Sequence, residues 1–249
     1  MKTLFSMKAL LRTVPACMAI SMIAFPVFAQ TDDPDSHGHD HGHSHDHALD
    51  EPEKSFEMID APKSDSTPAL TRLASGVTII DDVKNLDNMV GVTTHEGVFG
   101  PLLFGSRLRA FYVVLKPGQF LAEHPHPTES MIYTVSGKWV LASEGNRRVM
   151  EPGTVFHFAD NAPTGWEAPF NEDALLLIVK SRAPDENYAS MIEDLENMGD
   201  MVDRQMKEEG VPFWYDQISA DHPARRFARK VNQNFDEILA TLKSGDVVR

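Results

Sequence analysis

Cysteine and basic residues are both scarce in this sequence. The single cysteine, Cys17, lies near the amino terminus, so the rest of the chain forms no disulfide and any metal site there uses histidine, carboxylate or water. The 23 lysines and arginines stand against 37 acidic residues, which gives a net charge of −14. Such an acidic surface predicts no nucleic-acid partner and no anionic-membrane partner.

No apolar run is long enough to serve as a stable membrane anchor. Three basic residues precede the run from Val14 to Phe28, which contains two prolines and is followed by Ala29. A short apolar run with small residues at its end is typical of a secretory signal. Residues 1–29 therefore predict a cleaved signal peptide and a periplasmic or secreted protein.

Aspartate, proline, serine, glutamate and histidine dominate residues 30–66, and apolar residues are too few to offset the entropy cost of ordering. We interpret this segment as a disordered tail. Six histidines alternate with Gly, Asp and Ser inside it: His37, His39, His41, His43, His45 and His47. Imidazoles on a flexible tether chelate zinc, nickel or copper, so the tail is either a metal-binding segment or a solvated linker that binds metal incidentally.

Residues 67–182 carry short runs of β-branched and aromatic residues between turn-forming residues, without a glycine-rich phosphate loop. Eight strands are predicted: Val77–Ile80, Gly91–Thr94, Leu108–Leu115, Ser130–Val135, Trp139–Ala142, Arg147–Met150, Thr154–Phe158 and Ala174–Lys180. So many short strands in about 110 residues favour a β-sandwich or barrel.

His124 and His126 are one residue apart at the end of an alternating run, so on a strand both imidazoles face the same side and can hold a metal. The stretch from Gly118 to Gly137 resembles the first signature of the cupin family: a glycine, five residues, His-x-His, an acidic residue, then six residues and a glycine. Residues 151–168 resemble the second signature. The resemblance implies a jelly-roll barrel with a metal centre of three histidines and a carboxylate or amide.

Two positions depart from the family pattern. Ser130 stands where the acidic ligand is usual, and Thr164 stands where the last histidine is usual. Glu129 could reach the metal through a β-bulge, and His157 or His95 could substitute for the missing histidine. The expected metal ligands are His124, His126, Glu129 and His157, for zinc, iron, nickel or manganese.

Strand alternation also predicts which residues line a ligand pocket. If the two histidines face inward, alternate residues of the next strand face inward with them, and the second signature adds two more. The expected pocket residues are Ser130, Ile132, Thr134, Thr164 and Trp166, with a small molecule as the partner.

In residues 183–249 the apolar residues recur every three or four positions, which predicts two amphipathic helices. The first begins near Pro184 and ends at Gly210, and the second runs from about Pro223 to Leu242. They either cover the barrel or form a homodimer interface or a lid. The predicted fold class is mainly β, a single cupin jelly-roll barrel with a C-terminal two-helix extension.

Two functional hypotheses follow. In the first, an exported cupin barrel binds a divalent metal, a small organic ligand or both through His124 and His126, with a chelating tail. In the alternative, the barrel is a metal-dependent enzyme of the dioxygenase, lyase or isomerase type that acts on a small organic substrate. The two replaced ligand positions favour the binding hypothesis, because oxygen chemistry needs a redox metal held in fixed geometry.

Overall fold

The computed structural model describes residues 59–60 and 68–244. The predicted signal peptide, the six tail histidines and residues 245–249 lie outside the described residues. Export, tail disorder and tail chelation therefore stay predictions.

Along the described chain, thirteen β-strands come first and the α-helices follow them. The strands are β1 (Ile59–Asp60), β2 (Thr71–Ala74), β3 (Val77–Ile79), β4 (Val92–Thr94), β5 (Gly97–Phe104), β6 (Leu108–Leu115), β7 (His124–Pro125), β8 (Ser130–Ser136), β9 (Trp139–Ser143), β10 (Asn146–Met150), β11 (Val155–Phe158), β12 (Pro163–Glu167) and β13 (Ala174–Ser181). The α-helices are α1 (Tyr188–Arg204), α2 (Pro223–Val231) and α3 (Phe235–Ser244). Short 3-10 helices cover Leu86–Asn88 and Tyr215–Gln217, and a π-helical turn, Gln205–Glu209, continues α1. No helix of the described ranges is long and apolar enough to cross a membrane.

Two antiparallel sheets form the barrel. One has the strand order β11-β8-β13-β6-β5-β4, and the other has the order β10-β9-β12-β7. The central strand β13 pairs with β6 on one side and β8 on the other. Side chains from both sheets, including Val113, Leu176 and Trp139, form one buried core. The prediction of a mainly β jelly-roll barrel is confirmed.

Alternation along β8 follows the period of two that a half-buried strand requires. Ser130, Ile132 and Thr134 are buried, whereas Met131 and Tyr133 are exposed. The predicted inward positions of this strand are therefore the ones that the structure buries.

The C-terminal extension contains three α-helices instead of two. The helix predicted from Pro223 to Leu242 is interrupted after Val231, because the side chain of Asn232 has partners outside the helix. Its amide nitrogen donates to the Pro169 carbonyl at 2.6 Å, and its oxygen accepts from the backbone N–H of Asn234 at 3.0 Å. These hydrogen bonds favour a turn over continued helix.

The extension covers the barrel in the way that the simpler sequence interpretation expects. Met191 and Leu195 of α1 are buried in the barrel core. A second core forms between the extension and the segment before β7, and it includes Phe120, Phe213 and Phe235. The helices and the barrel thus share buried apolar surface, which holds the strand containing the histidine pair in place.

Candidate site in the barrel

The histidine pair lies at the junction of β7 and β12. His124 opposes Thr164 in the register of these strands, and both histidines are buried. Their ring centroids are 4.4 Å apart. Gly165 permits this arrangement, because a Cβ atom there would lie 2.4 Å from the Leu121 carbonyl oxygen. Only a residue without a side chain lets β12 approach the segment before His124 so closely.

The hydrogen bonds fix the protonation of His124. Its Nδ1 lies 3.0 Å from the Ala122 carbonyl oxygen, which only accepts, so Nδ1 carries the proton and Nε2 carries a lone pair. Burial lowers the pKa of His124, with a smaller contribution from the charge of Lys180. Burial also lowers the pKa of His126 to about 3, and the charges of His124 and Lys180 act in the same direction. Both imidazoles are therefore neutral near pH 7.

Buried polar atoms at this site lack partners. Nε2 of His124 and Oγ of Ser130 have no hydrogen-bond partner within the described part of the chain. A buried polar atom without a partner costs roughly 1–3 kcal/mol, and natural proteins keep few of them. The site therefore presents one acceptor and one hydroxyl that suit a polar ligand.

A cavity of about 50 Å³ lies inside the barrel beside His126. Most of its walls are aromatic or aliphatic, and its polar groups come from a few side chains. The lining residues are Phe99, Phe111, His126, Ser130, Ile132, Trp139, Leu141, Phe156, Phe158, Thr164, Gly165, Trp166, Ile178 and Lys180. The volume suits a molecule of a few heavy atoms.

Four of the five predicted pocket residues line this cavity: Ser130, Ile132, Thr164 and Trp166. The fifth, Thr134, is buried but does not line it. Its hydroxyl accepts from Nε1 of Trp139 at 3.0 Å and contacts the hydroxyl of Thr154 at 3.1 Å. Thr134 thus fixes the orientation of a lining tryptophan.

Lys180 is a site residue that sequence reasoning missed. Ala174, Leu176 and Ile178 of β13 are buried, and Lys180 takes the next position of the same alternation. Its side chain lines the cavity together with His126 and Ser130. The alternation along β13 could have identified it, since Lys180 is the one charged residue on the inward face of the strand.

Glu129 and His157 lie outside the cavity, in contrast to the expected ligand set. Phe156 and Phe158 take the inward positions of β11, so His157 points outward. Ser130 takes the inward position of β8, so Glu129, one residue earlier, also points away. The two exposed side chains contact each other, with Nε2 of His157 3.2 Å from Oε2 of Glu129.

His95, the other possible substitute for the missing histidine ligand, contacts the helical extension instead. Its Nδ1 accepts from Nε1 of Trp214 at 3.1 Å, and its Nε2 lies 3.1 Å from a carboxylate oxygen of Asp203 in α1. His95 therefore joins the hairpin of β4 and β5 to the extension.

These residues do not fit the metal centre that the resemblance implies. Nowhere in residues 59–60 and 68–244 do three or more histidine, cysteine, aspartate or glutamate side chains lie close enough together to hold a metal ion. The barrel brings two imidazoles together with two hydroxyl groups, and the nearby ammonium of Lys180 repels a cation. The expected four-ligand set is not assembled.

A larger cavity, of about 610 Å³, lies between the barrel edge and α3. Thr93 and Thr94 of β4, Trp214, Glu237 and other residues line it. None of the predicted site residues lies in its wall, so it is separate from the histidine pair.

Comparisons with known proteins agree with the barrel architecture. The family model described as a cupin domain matches residues 111–180. No curated protein matches the chain. Among solved structures, a Cupin 2 conserved barrel domain protein from Salinispora arenicola is 18% identical, with 48% of this chain and 97% of that chain covered and a TM-score of 0.36.

Two further structures are similar to a somewhat smaller share of the chain. An RmlC-like cupin from Shewanella frigidimarina is 18% identical, with 40% of this chain and 88% of that chain covered and a TM-score of 0.35. The polyketide cyclase RemF from Streptomyces resistomycificus is 18% identical, with 41% of this chain and 80% of that chain covered and a TM-score of 0.37.

Proposed function

Since this chain carries a cupin domain at residues 111–180, we propose that it binds a small organic molecule in the barrel cavity without a resident metal ion. The observation that carries the proposal is the buried partnerless Oγ of Ser130, which lines the cavity together with His126. The serine hydroxyl would donate to a ligand carbonyl or accept from a ligand hydroxyl or amide N–H, and the neutral ring of His126 would contact the same ligand. The apolar walls would bury the rest of the ligand.

Histidine NMR tests ligand binding directly. The full-length protein, labelled with ¹⁵N, would be titrated with pyruvate, glycolate, glycerol and acetamide as separate probes. We expect at least one probe to shift the ring-nitrogen resonances of His126 and the indole resonances of Trp139 and Trp166, which all line the cavity. The exposed His157 should stay unchanged. A panel in which no probe shifts the resonances of His126, or in which those of His157 shift equally, would overturn the proposal.

We also propose that the protein is exported and that its tail, not its barrel, binds divalent cations. The support is the signal-like residues 1–29 and the six alternating histidines of residues 37–47. Metal content would be measured by mass spectrometry after dialysis against limiting zinc or nickel. One variant would have all six tail histidines replaced by serine. The other would carry His124→Ala together with His126→Ala.

The two variants separate tail binding from barrel binding. Loss of metal in the tail variant and retention in the barrel variant would support the assignment to the tail. The reverse pattern would mean that the barrel holds a metal centre after all and that the residues described above bind it. Signal cleavage is checked by sequencing the amino terminus of protein recovered from the periplasm.

A further inference from the structure

Lys180 places an amine in an apolar cavity. The side chain enters the barrel from the end of β13, and aromatic rings such as Phe111, Phe158 and Trp166 form much of the wall around it. Lys180 is half-buried, and lysines withdrawn from water in this way are uncommon because the ammonium loses hydration; most are paired with a carboxylate. Among the described residues, Lys180 makes no ion pair with a carboxylate within 4.0 Å.

The charges around Lys180 favour the neutral amine. Burial, the charge of Arg109 on the neighbouring strand and the opposing charge of Asp160 together bring the pKa of Lys180 down to about 8, with burial the largest cause. Arg109 opposes Lys180 in the register of β6 and β13 and forms an ion pair with Glu186. His124 and His126 add no charge, since burial keeps both imidazoles neutral near pH 7. A substantial fraction of the amine is thus unprotonated slightly above neutral pH.

Groups that move protons line the same cavity. His126 and Ser130 face it together with Lys180. A neutral imidazole accepts and returns a proton, and a hydroxyl relays one. A desolvated lysine beside another cation and a base is the arrangement that activates amines toward carbonyl carbon.

We propose that Lys180 captures small aldehydes and ketones, including 2-oxo acids, as an imine inside the barrel. The inference rests on the proposed function, because it names the class of ligand and the bond that holds it. The amine lone pair attacks the carbonyl carbon, and the carbonyl oxygen takes up the proton that the nitrogen loses. The carbinolamine then loses its hydroxyl group together with the remaining N–H proton as water, and the nitrogen lone pair forms the C=N bond. No electrons are transferred to or from another reactant.

Reductive trapping tests this chemistry. The full-length protein would be incubated with pyruvate or glycolaldehyde and sodium borohydride, and intact mass and peptide mapping would locate the stable secondary amine. We expect one adduct per chain on Lys180, in at least tenfold excess over any other lysine. The rate of trapping should rise as pH increases through about 8, where the amine loses its proton.

Two variants make the result specific. Lys180→Arg keeps the positive charge and should reduce the adduct at least tenfold, whereas Lys138→Arg, at an exposed lysine, should leave it unchanged. Thermal unfolding of both variants checks that each is folded. If Lys180→Arg is unfolded, peptide mapping of the wild-type adduct still decides the matter, and adducts spread over exposed lysines would overturn the inference.

The same samples distinguish failure of this inference from failure of the proposed function. Shifts of the His126 resonances with pyruvate in the absence of any Lys180 adduct would overturn the imine and leave non-covalent binding in place. Neither a shift nor an adduct would overturn both. Separate results for pyruvate and glycolaldehyde show whether the cavity requires a carboxylate on the carbonyl compound.

Discussion

Glu96 is a buried carboxylic acid whose ionisation opposes folding. It lies in the turn between β4 and β5, with only 2% of its surface exposed. Its backbone is well bonded: the N–H donates to Oγ1 of Thr94 at 3.1 Å, and the carbonyl accepts from Nε1 of Trp166 at 3.2 Å. Its side-chain Oε1 has no partner among the described residues. Burial raises the pKa of Glu96 from 4.5 to about 7.

The sign of the effect on stability follows from the two pKa values. Below pH 4.5 the carboxyl is protonated in the folded and unfolded states, and folding carries no penalty. Between pH 4.5 and about 7 the unfolded chain ionises first, so the free energy of unfolding falls as pH rises. Above pH 7 the loss levels off at roughly 3 kcal/mol, which is the pKa difference expressed as free energy.

Glu96→Gln removes this titration while keeping the shape of the side chain. The free energy of unfolding of the variant minus that of wild type should therefore increase by roughly 3 kcal/mol between pH 4.5 and pH 8. If the new amide nitrogen has no hydrogen-bond partner, the free energy of unfolding of the variant falls by the same amount at every pH. The change with pH is therefore unaffected.

Urea unfolding followed by tryptophan fluorescence across this pH range measures the difference. Glu196→Gln, at an exposed position of α1, is the matched control and should stay close to wild type throughout. Parallel curves for Glu96→Gln and wild type would show that the carboxyl is not desolvated, which would refute the reasoning.

Two further predictions concern a buried ion pair of the barrel and the amino-terminal cap of α1. Arg147→Met should lower the free energy of unfolding by about 3 kcal/mol, because Glu167, 1% exposed, loses the Arg147 partner that lies 2.8 Å away. Adding Glu167→Gln should recover part of that loss in urea unfolding, and no recovery would contradict a charge effect. Asn187→Ala should cost about 1 kcal/mol, because the side chain caps α1 by accepting from the backbone N–H groups of Ala189 and Ser190. Asn187→Ser should retain most of the stability in thermal unfolding, and equal losses would exclude capping as the cause.

The barrel strands were largely predictable because their alternation is local. All eight predicted strands overlap observed ones, and Ser130 and Ile132 face inward as the parity of β8 requires. Strand β12 was missed because Pro163 and Gly165 have low strand propensity, while its pairing with β7 and β9 comes from distant parts of the chain.

The site was only partly predictable, since it depends on where strands end and what faces them. The resemblance identified the histidine pair. However, side chains alternate along the chain here, so burial of Ser130 places Glu129 on the outward side. Lys180 was read as the last residue of a strand rather than as its last inward position. The break at Asn232 depends on the Pro169 carbonyl, 63 residues away in sequence, which no local pattern contains.

The charges inside the barrel are opposite in sign to those of the chain as a whole. The chain has a net charge of −14, yet the cavity lining contains the amine of Lys180 and no carboxylate. Surface charges are screened by salt beyond about 8 Å, whereas a buried charge acts through a poorly polarisable medium at short range. The lining therefore decides which ligands are held once they enter. A cation would be repelled by Lys180, and no carboxylate of the lining would offset that repulsion. A neutral carbonyl compound or a small anion would instead contact an amine, a hydroxyl and an uncharged imidazole.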